Sequence, residues 1–388
     1  MKKTIYFDNA ATSWPKPDMV YNAVNYFMRE IGANPGRSGH SKSFEAGRIV
    51  YETREALANL FGINDSSRVI FTSNATHALN IAFKGILQPG EHVLTTSMEH
   101  NSVMRPLRYL EQTIGIRITA VPCRGDGTLP LKLFEEKIEK NTKLIVVNHA
   151  SNVVGTLLPI NEIGEISRKH GALFLVDAAQ TAGSIALNVV KDNIDLLAFT
   201  GHKGLMGPQG IGGLCIGNQV NMQPLMQGGT GSNSGYETQP EVLPDKYESG
   251  TLNTVGIAGL GAGVKFIQKK GIVNIQKYEK ALTKQLIEGL SAIKGIKIYG
   301  PCNANKQISV VSFNIDGLKP CDVGYKLDKE FGIMARVGLH CAPAAHKTIG
   351  TFPIGTVRLS LNYFNAPEEV QYTIQSLKKI ITQTKRKL

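Results

Sequence analysis

The 388-residue sequence is poor in charge, in aromatics and in long apolar runs. Only 19% of its residues are charged, and no stretch approaches the roughly 18 consecutive apolar residues that suggest a transmembrane helix. Apolar residues make up 42% of the chain, enough to bury a large core of two or more domains, which excludes a disordered protein. No apolar stretch of about seven residues precedes the first acid, Asp8, so we expect no secretory signal, no membrane and a cytoplasmic location.

Cysteine is scarce as well. The five cysteines lie far apart, are odd in number and form no C-x-x-C pair. This argues against a disulfide framework or a Cys-rich zinc site and leaves at least one cysteine available as a working thiol. His340, Cys341 and His346 would offer a metal ion no fourth ligand, so we expect no metal centre.

The net charge of +12 does not come from one basic segment. The densest basic run is Lys378 and Lys379 with residues 385–387, a pattern typical of a solvated helix end. We therefore expect no specific nucleic-acid surface. A basic surface would suit small anionic ligands or an acidic partner protein.

Helical and strand patterns alternate along the first two thirds of the chain. Helices are predicted after Asp18 and over 43–60, and short apolar runs then alternate with helical or turn segments. The runs are 69–71, 92–95, 118–121, 144–147, 173–176 and 196–199. The alternation predicts an α/β domain with a mainly parallel sheet. From about residue 256 the pattern changes to a long helical stretch followed by short apolar runs. We therefore predict a large domain over 20–255 and a smaller α+β domain over 256–388 that includes the N-terminal segment 1–19.

The residues that follow these runs are polar, and ligands of parallel sheets collect at strand ends. Residues 72–77 lead into a helix whose free N–H groups could hold a phosphate, while Asp177 and Lys203 follow two later runs. The glycine-rich run 207–213 lacks the order of a dinucleotide fingerprint and reads alone as a turn. Lysine, aspartate and phosphate cradle are the three parts that pyridoxal phosphate requires. Taken singly, Lys203 reads as a surface lysine, and Asp177 and the segment 72–77 read as helix caps. The occurrence of all three at strand ends favours a site for the cofactor.

Motifs spread over nearly the whole chain carry a closer resemblance. They are residues 6–12 (YFDNAAT), 71–76 (FTSNAT), 99–101 (EHN), 151–155 (SNVVG), 176–180 (VDAAQ), 201–203 (GHK), 248–251 (ESGT) and 336–342 (RVGLHCA). This ordered set resembles the class V aminotransferases of the fold-type I pyridoxal-phosphate group and, within them, the cysteine desulfurases. The resemblance implies a large domain with a mainly parallel seven-stranded sheet flanked by helices, plus a smaller α+β domain.

The resemblance also implies roles for the residues that would hold pyridoxal phosphate. Lys203 resembles the lysine that bonds to the cofactor, and Asp177 resembles the partner of its pyridine nitrogen. Gln180 would reach the phenolic oxygen, and His100 would stack on the ring and serve as a candidate proton carrier. The residues around the phosphate would be Ala75, Thr76, Thr200 and His202, with Thr200 where the family more often has serine.

Further residues would serve the substrate and a second subunit. Asn152 and Arg358 resemble the residues that hold the substrate carboxylate, and the planar fork of arginine suits that group. Arg336 is a second candidate for this contact. The segment Gly250-Thr251 resembles one that reaches the phosphate of a neighbouring subunit, which implies a homodimer.

Cys341 is the cysteine set in a recognisable segment, with His340 and Arg336 nearby as potential cations that favour a thiolate. The resemblance implies that Cys341 attacks the sulfur of L-cysteine, keeps it as a persulfide and releases alanine. The sulfur would then pass to a small thiol or an acceptor protein, and such enzymes supply iron–sulfur cluster assembly.

One position departs from the pattern, because this branch usually has two histidines before the cysteine and Leu339 replaces the first. The change bears on the preference among cysteine, selenocysteine and cysteine sulfinate. The alternatives are therefore a selenocysteine lyase, a cysteine sulfinate desulfinase, or a catalytically silent scaffold that binds a sulfur-trafficking partner.

Overall fold

The computed structural model describes residues 4–36, 38–232 and 235–385. Residues 1–3 and 386–388, the two ends of the predicted smaller domain, lie outside the described residues, and the latter include the basic residues Arg386 and Lys387. The strands are β1 Ile5–Tyr6, β2 Val69–Thr72, β3 His92–Thr96, β4 Arg117–Val121, β5 Thr142–Asn148, β6 Leu173–Asp177, β7 Leu196–Thr200, β8 Gly212–Ile216, β9 Ile296–Tyr299, β10 Val310–Ile315, β11 Ile333–Met334, β12 Arg336–Gly338 and β13 Thr356–Ser360.

Helices connect and cover these strands. They are α1 Asp18–Tyr26, α2 Ser41–Phe61, α3 Ala75–Ile86, α4 Asn101–Ile114, α5 Leu131–Glu136, α6 Ile160–Lys169, α7 Thr254–Lys270, α8 Ile272–Ser291, α9 Pro320–Phe331, α10 Pro343–Thr348 and α11 Pro367–Lys385. A π-helical turn, Phe27–Ile31, follows α1, and a 3₁₀ turn, Ser66–Arg68, precedes β2. Within the described ranges, no helix has the length and apolar content to cross a membrane.

The large sheet has seven strands in the order β2-β8-β7-β6-β5-β3-β4. The five strands from β7 to β4 are parallel, and β8 runs antiparallel to both of its neighbours. The predicted mainly parallel seven-stranded sheet is thus confirmed.

Alternate residues of the central strands pack on opposite faces of this sheet, as the period of two requires. In β5, Ile145 and Val147 join an apolar cluster with α2 and α7, while Leu144 and Val146 join a second cluster with α3 and α4. Burial on both faces explains why these strands read as continuous apolar runs.

Strand β8 is not predicted, because its sequence begins in the glycine-rich run 207–213. A Cβ atom at Gly213 would collide with the ring of Phe199 on the neighbouring strand β7. Glycine at this position therefore makes room for an aromatic ring within the sheet, whereas sequence propensity associates glycine with turns.

A smaller antiparallel sheet, in the order β12-β13-β10-β9, forms the second part of the fold. Helices α8, α9 and α11 contribute to its apolar core. Strand β1 pairs with β11, and Asp8 forms a bridge to Ser360 at the end of β13, so the N-terminal segment lies beside this sheet. Helix α7 packs on α1 and α2. The predicted domain boundary between residues 255 and 256 stays a prediction.

Candidate active site

A cavity opens at the carboxyl edge of the large sheet, where parallel strands end and the turns that follow them converge. The predicted residues in its walls are Ala75, Thr76, His100, Asn152, Asp177, Gln180, Thr200, His202 and Lys203. The predicted residues outside these walls are Gly250, Thr251, Arg336, Cys341 and Arg358.

Lys203 lies in the turn after β7 and is half-buried, because its side chain borders the cavity. Burial lowers the pKa of Lys203 to about 8; the carboxylate of Asp177 opposes this shift, and the Arg358 and Arg336 charges add to it. A substantial fraction of the amine is therefore neutral near pH 8 and able to act as a nucleophile or a base.

Asp177 is the last residue of β6, and its side chain is buried beside Lys203. One carboxyl oxygen accepts a hydrogen bond from the backbone N–H of Ala179 at 2.9 Å. Burial raises the pKa of Asp177, while the Ala179 bond, the Lys203 charge and the Ser102 hydroxyl lower it. A cationic ligand group next to Asp177 would offset the cost of burying this charge.

The predicted phosphate end of the cavity contains unused hydrogen-bonding groups. Asn74 caps α3 by accepting the N–H of His77 at 2.9 Å. Asn74 and the first two residues of the helix, Ala75 and Thr76, line the cavity. The Oγ1 atom of Thr200 and the Nδ1 atom of His202 are buried without a hydrogen-bond partner among the described residues. Buried polar atoms are usually paired, so a ligand with acceptor and donor oxygens fits this end.

His100 stands at the mouth of the cavity as the N-cap of α4. Its Nδ1 atom accepts the N–H of Ser102 at 3.0 Å, which leaves the proton of a neutral ring on Nε2. Burial, followed by the charge of Lys203, lowers the pKa of His100 to about 4. The ring is therefore neutral at physiological pH, a state suited to stacking on an aromatic ligand.

Arg358 reaches from β13 and is almost fully buried, with 1% of its surface exposed. It forms an ion pair with Asp8 at 2.7 Å and donates to the carbonyl of Asn152 at 3.0 Å. Its Nε atom and the Oδ1 atom of Asn152 have no partner among the described residues. Asn152 in turn donates to the carbonyl of His340 at 2.6 Å, which links the cavity wall to the Cys341 segment.

Cys341 is exposed on the turn between β12 and α10, in the left-handed conformation with φ 58°. Its carbonyl accepts the N–H of Asn101 at 2.9 Å, and its Sγ atom lies 3.6 Å from a guanidinium nitrogen of Arg336. Cys341 lines an outer cleft that shares His100, Ser102 and Thr76 with the cavity. The thiol therefore lies next to the cavity that holds Lys203.

The predicted cationic role of His340 is wrong. Its side chain is buried, and one ring nitrogen lies 3.0 Å from the Thr356 hydroxyl. Burial, assisted by the charge of Arg358, depresses the pKa of His340 far below its ordinary value, so the ring is neutral. The cation beside the thiol is Arg336, which contacts the sulfur directly.

The segment 248–251 is fixed at one end and exposed at the other. Glu248 is buried and forms a two-pronged ion pair with Arg54 at 2.8 and 2.9 Å. It also accepts the N–H of Phe71 at 2.5 Å, in the strand that leads to the phosphate end. Gly250 and Thr251 are exposed, away from the cavity of their own chain.

Sequence reasoning missed three residues of the site. Asn148 ends β5 in the cavity wall, and the strand-end rule could have found it, because it directly follows the apolar run 144–147. Ser102 bonds to both His100 and Asp177 from inside α4, and Asp8 pairs with Arg358, contacts that only the folded chain reveals. Over the ranges that the structure describes, no cluster of three or more His, Cys, Asp or Glu is placed to hold a metal ion.

Comparisons with known proteins agree with this geometry. The family model "Aminotransferase class-V" matches residues 5–373. A probable cysteine desulfurase of Methanothermobacter thermautotrophicus is 36% identical, covering 98% of this chain and 95% of the relative. One from Pyrococcus abyssi is 38% identical with the same coverage of both chains.

Solved structures lead to the same group. The apo cysteine desulfurase of Thermococcus onnurineus NA1 superposes with a TM-score of 0.92 at 36% identity, covering 98% of this chain and 95% of that one. The Escherichia coli cysteine desulfurase CsdA superposes with a TM-score of 0.88 at 25% identity and the same coverage. The fold, the near full-length family match and these relatives lead to one conclusion: the chain belongs to the class-V aminotransferase family and, within it, to the cysteine desulfurases.

Proposed function

We propose that this enzyme uses pyridoxal phosphate to convert L-cysteine to L-alanine and carries the removed sulfur as a persulfide on Cys341. The observation that supports this most strongly is the juxtaposition of two cavities. One holds Lys203 and Asp177, and the other, which shares His100 with it, holds the exposed thiol of Cys341. A substrate bound at Lys203 would thus present its side chain toward a nucleophilic sulfur.

The cavity residues fit the cofactor group by group. Asp177 would pair with the pyridine nitrogen, Gln180 would reach the phenolic oxygen, and His100 would stack on the ring. The unpaired atoms of Thr200 and His202, with Ala75 and Thr76 at the start of α3, would hold the phosphate. When bound, the cofactor supplies an electron sink for the charge that develops at the substrate Cα.

Lys203 would move the proton at the substrate Cα. With its pKa lowered to about 8 by burial, the amine can take this proton near physiological pH and later return one. The neutral ring of His100 carries its proton on Nε2 and would keep its orientation through the Ser102 contacts. Arg358 would hold the substrate carboxylate through its Nε–H group, which has no partner among the described residues. Asn152 would donate the second N–H of the side-chain amide that bonds to the His340 carbonyl.

Cys341 would accept the sulfur by nucleophilic attack as a thiolate, with a guanidinium nitrogen of Arg336 3.6 Å from its Sγ atom. The thiolate attacks the substrate sulfur, so an S–S bond forms while the Cβ–S bond breaks. The electron pair of the broken bond remains with carbon, which takes up a proton. The products are alanine and an enzyme persulfide, whose outer sulfur passes to an acceptor thiol or protein.

The active unit would be a homodimer in which Gly250 and Thr251 complete the phosphate site of the partner. Their exposure, and the buried Glu248-Arg54 pair that fixes the same segment, support this assembly. The cytoplasmic location stays a prediction from the sequence.

Product analysis tests the proposal. Purified protein with pyridoxal phosphate is given L-cysteine, L-selenocysteine or L-cysteine sulfinate, and alanine is quantified for each. We expect alanine from L-cysteine and a borohydride-reducible cofactor adduct on the Lys203 peptide. Lys203→Ala should lose both, whereas the exposed control Lys191→Ala should keep both. No adduct in the wild type, or alanine only from the other two substrates, would overturn the proposal.

A further inference from the structure

Two stripes of residues, one on each of two neighbouring helices, form a trough that ends at Cys341. Helix α3 contributes every fourth residue from Thr76 to Lys84, and α4 contributes every fourth residue from Asn101 to Tyr109, so each stripe lies on one helix face. The trough residues are Thr76, Asn80, Lys84, Asn101, Arg105 and Tyr109. Both helices start at the carboxyl edge of the sheet, so Cys341 and His100 lie at the head of the trough and Lys84 at its far end.

The charges along the trough are all of one sign. Its lining contains Lys84 and Arg105 but no Asp or Glu, and Arg336 contacts Cys341 at the head. None of these three cations forms an ion pair with an acidic side chain in the part of the chain that the structure describes. By contrast, Arg108, one turn away on α4, pairs with Glu111 at 2.6 Å.

The trough is too long for a small thiol to fill. Each stripe covers two helical turns, about 12 Å. An extended peptide advances about 3.3 Å per residue, so about four residues would connect the thiol at the head with Lys84. The Cys341 and His340 carbonyls accept hydrogen bonds from the Asn101 backbone and the Asn152 side chain, which hold the short Cys341 turn at the head of the trough. The exposed thiol is therefore within reach of an acceptor segment that lies along the trough.

We propose, on the basis of the persulfide function above, that the trough receives an extended, acidic, cysteine-bearing segment of a sulfur-acceptor protein. The acceptor thiolate attacks the outer sulfur of the Cys341 persulfide, and a new S–S bond forms as the old one breaks. Cys341 leaves as a thiolate beside Arg336, and the proton on the outer sulfur moves with it to the acceptor. Lys84 and Arg105 attract the acidic residues of the segment and set its direction.

Peptide acceptors test the charge preference directly. Persulfide is formed on the holoenzyme with L-cysteine, the protein is gel-filtered, and blocked peptides Cys-Gly-Gly-Glu-Glu, Cys-Gly-Gly-Gln-Gln or Cys-Gly-Gly-Lys-Lys are added. Each transfer rate is divided by the rate of the same peptide with 4,4'-dithiodipyridine, which corrects for thiol reactivity. We expect the acidic peptide to react about tenfold faster than the glutamine peptide at low ionic strength, with the difference shrinking in salt. Rates within a factor of two would overturn the proposal.

Charge reversal locates the effect. The double variant Lys84→Glu/Arg105→Glu should prefer the lysine peptide, while Arg336 at the sulfur is untouched. The matched control Lys378→Glu/Lys379→Glu changes two exposed lysines of α11 and the net charge equally, and should keep the wild-type preference. An equal change in both variants would show a whole-protein charge effect and contradict the trough. A small-thiol pair, 2-mercaptoethanesulfonate and 2-mercaptoethanol, gives a second ratio of transfer rates, anionic over neutral. If this ratio equals that of the acidic peptide over the glutamine peptide, the trough binds small anions and the acceptor-segment proposal is wrong.

Alkylation separates this proposal from the proposed function, because it needs neither cofactor nor persulfide. The ratio of iodoacetate to iodoacetamide labelling should be higher at Cys341 than at Cys302 and Cys321, the other exposed cysteines, and should fall at Cys341 in Lys84→Glu/Arg105→Glu. A protein that forms no persulfide but shows this ratio would contradict the desulfurase function alone. A ratio equal at the three cysteines would contradict the cationic trough alone.

Discussion

Replacing Asp177 with asparagine removes one negative charge from the cavity and nearly preserves the shape of the side chain. Asp177 as a residue is 5% exposed, so solvent screens its charge weakly. Its pKa is raised by burial, and a cationic pyridine nitrogen would be its natural partner. We expect Asp177→Asn to bind pyridoxal phosphate more weakly and to lose alanine production, because the neutral amide cannot keep the ring nitrogen protonated.

The size of the affinity loss follows from the contacts of the carboxylate. Removing one partner of a buried, hydrogen-bonded charge pair costs about 2–5 kcal/mol. Asp177 also has the Ala179 N–H at 2.9 Å and the charge of Lys203 as partial compensation, which places the loss in the lower part of this range. We expect about 2–3 kcal/mol, which corresponds to a roughly 30- to 150-fold higher dissociation constant. Asp177→Ala should lose similar affinity but also stability, because the Ala179 N–H then has no acceptor.

Equilibrium dialysis of the apo protein against pyridoxal phosphate measures this constant. Asp195→Asn is the matched control, because Asp195 is a partly buried carboxylate that accepts the N–H of Phe174 at 2.7 Å and precedes β7, at the opposite edge of the sheet. This control should bind the cofactor like the wild type. If Asp177→Asn stays within threefold of the wild type, or if Asp195→Asn loses as much affinity, the role assigned to Asp177 is wrong.

The remaining predictions concern stability and assembly. Burial raises the pKa of Glu279 to about 8, so its protonated form favours the folded state at low pH, and this stabilisation is lost as pH rises toward 8. The free energy of unfolding, measured with denaturant at pH 6 and at pH 9, should fall by about 3 kcal/mol less in Glu279→Gln than in the wild type. The exposed control Glu288→Gln should show the same fall as the wild type. An equal fall in Glu279→Gln and the wild type would contradict a raised pKa of the buried carboxyl. Glu248→Ala leaves Arg54 buried without its carboxylate and should lower the unfolding free energy by about 3–5 kcal/mol, and a loss under about 1 kcal/mol would show that the pair is dispensable. Light scattering at assay concentration should find a dimer, and a fully active monomer would refute the shared phosphate site.

The sequence predicts the parallel centre of the fold well because these strands are buried on both faces. The apolar runs 144–147, 173–176 and 196–199 have no alternating polar residues, and they form β5, β6 and β7. Strand β8 is missed because its glycines are set by tertiary contacts: a Cβ at Gly213 would meet the ring of Phe199, and one at Gly212 would meet the backbone of Phe199 and Asn74. A local sequence pattern contains no information about these contacts.

The candidate site divides in the same way. Asp177 directly follows the run 173–176, and Lys203 lies four residues after the run 196–199, so the strand-end rule identifies both without knowledge of the fold. The partnership of Arg358 with Asp8 joins residues at opposite ends of the chain, and the neutral state of His340 depends on burial beside Arg358. Charge states of this kind are set by tertiary contacts, so sequence neighbours could not predict them.

Mass spectrometry after brief incubation with L-cysteine tests most directly whether Cys341 carries the sulfur. We expect one added sulfur on the Cys341 peptide of the wild type, removable by a reducing thiol. Cys341→Ser should still bind pyridoxal phosphate but release almost no alanine, whereas Cys302→Ser, which removes another exposed cysteine, should behave like the wild type. Undiminished alanine release by Cys341→Ser, or an added sulfur on Cys123, Cys215, Cys302 or Cys321 instead, would contradict the persulfide at Cys341.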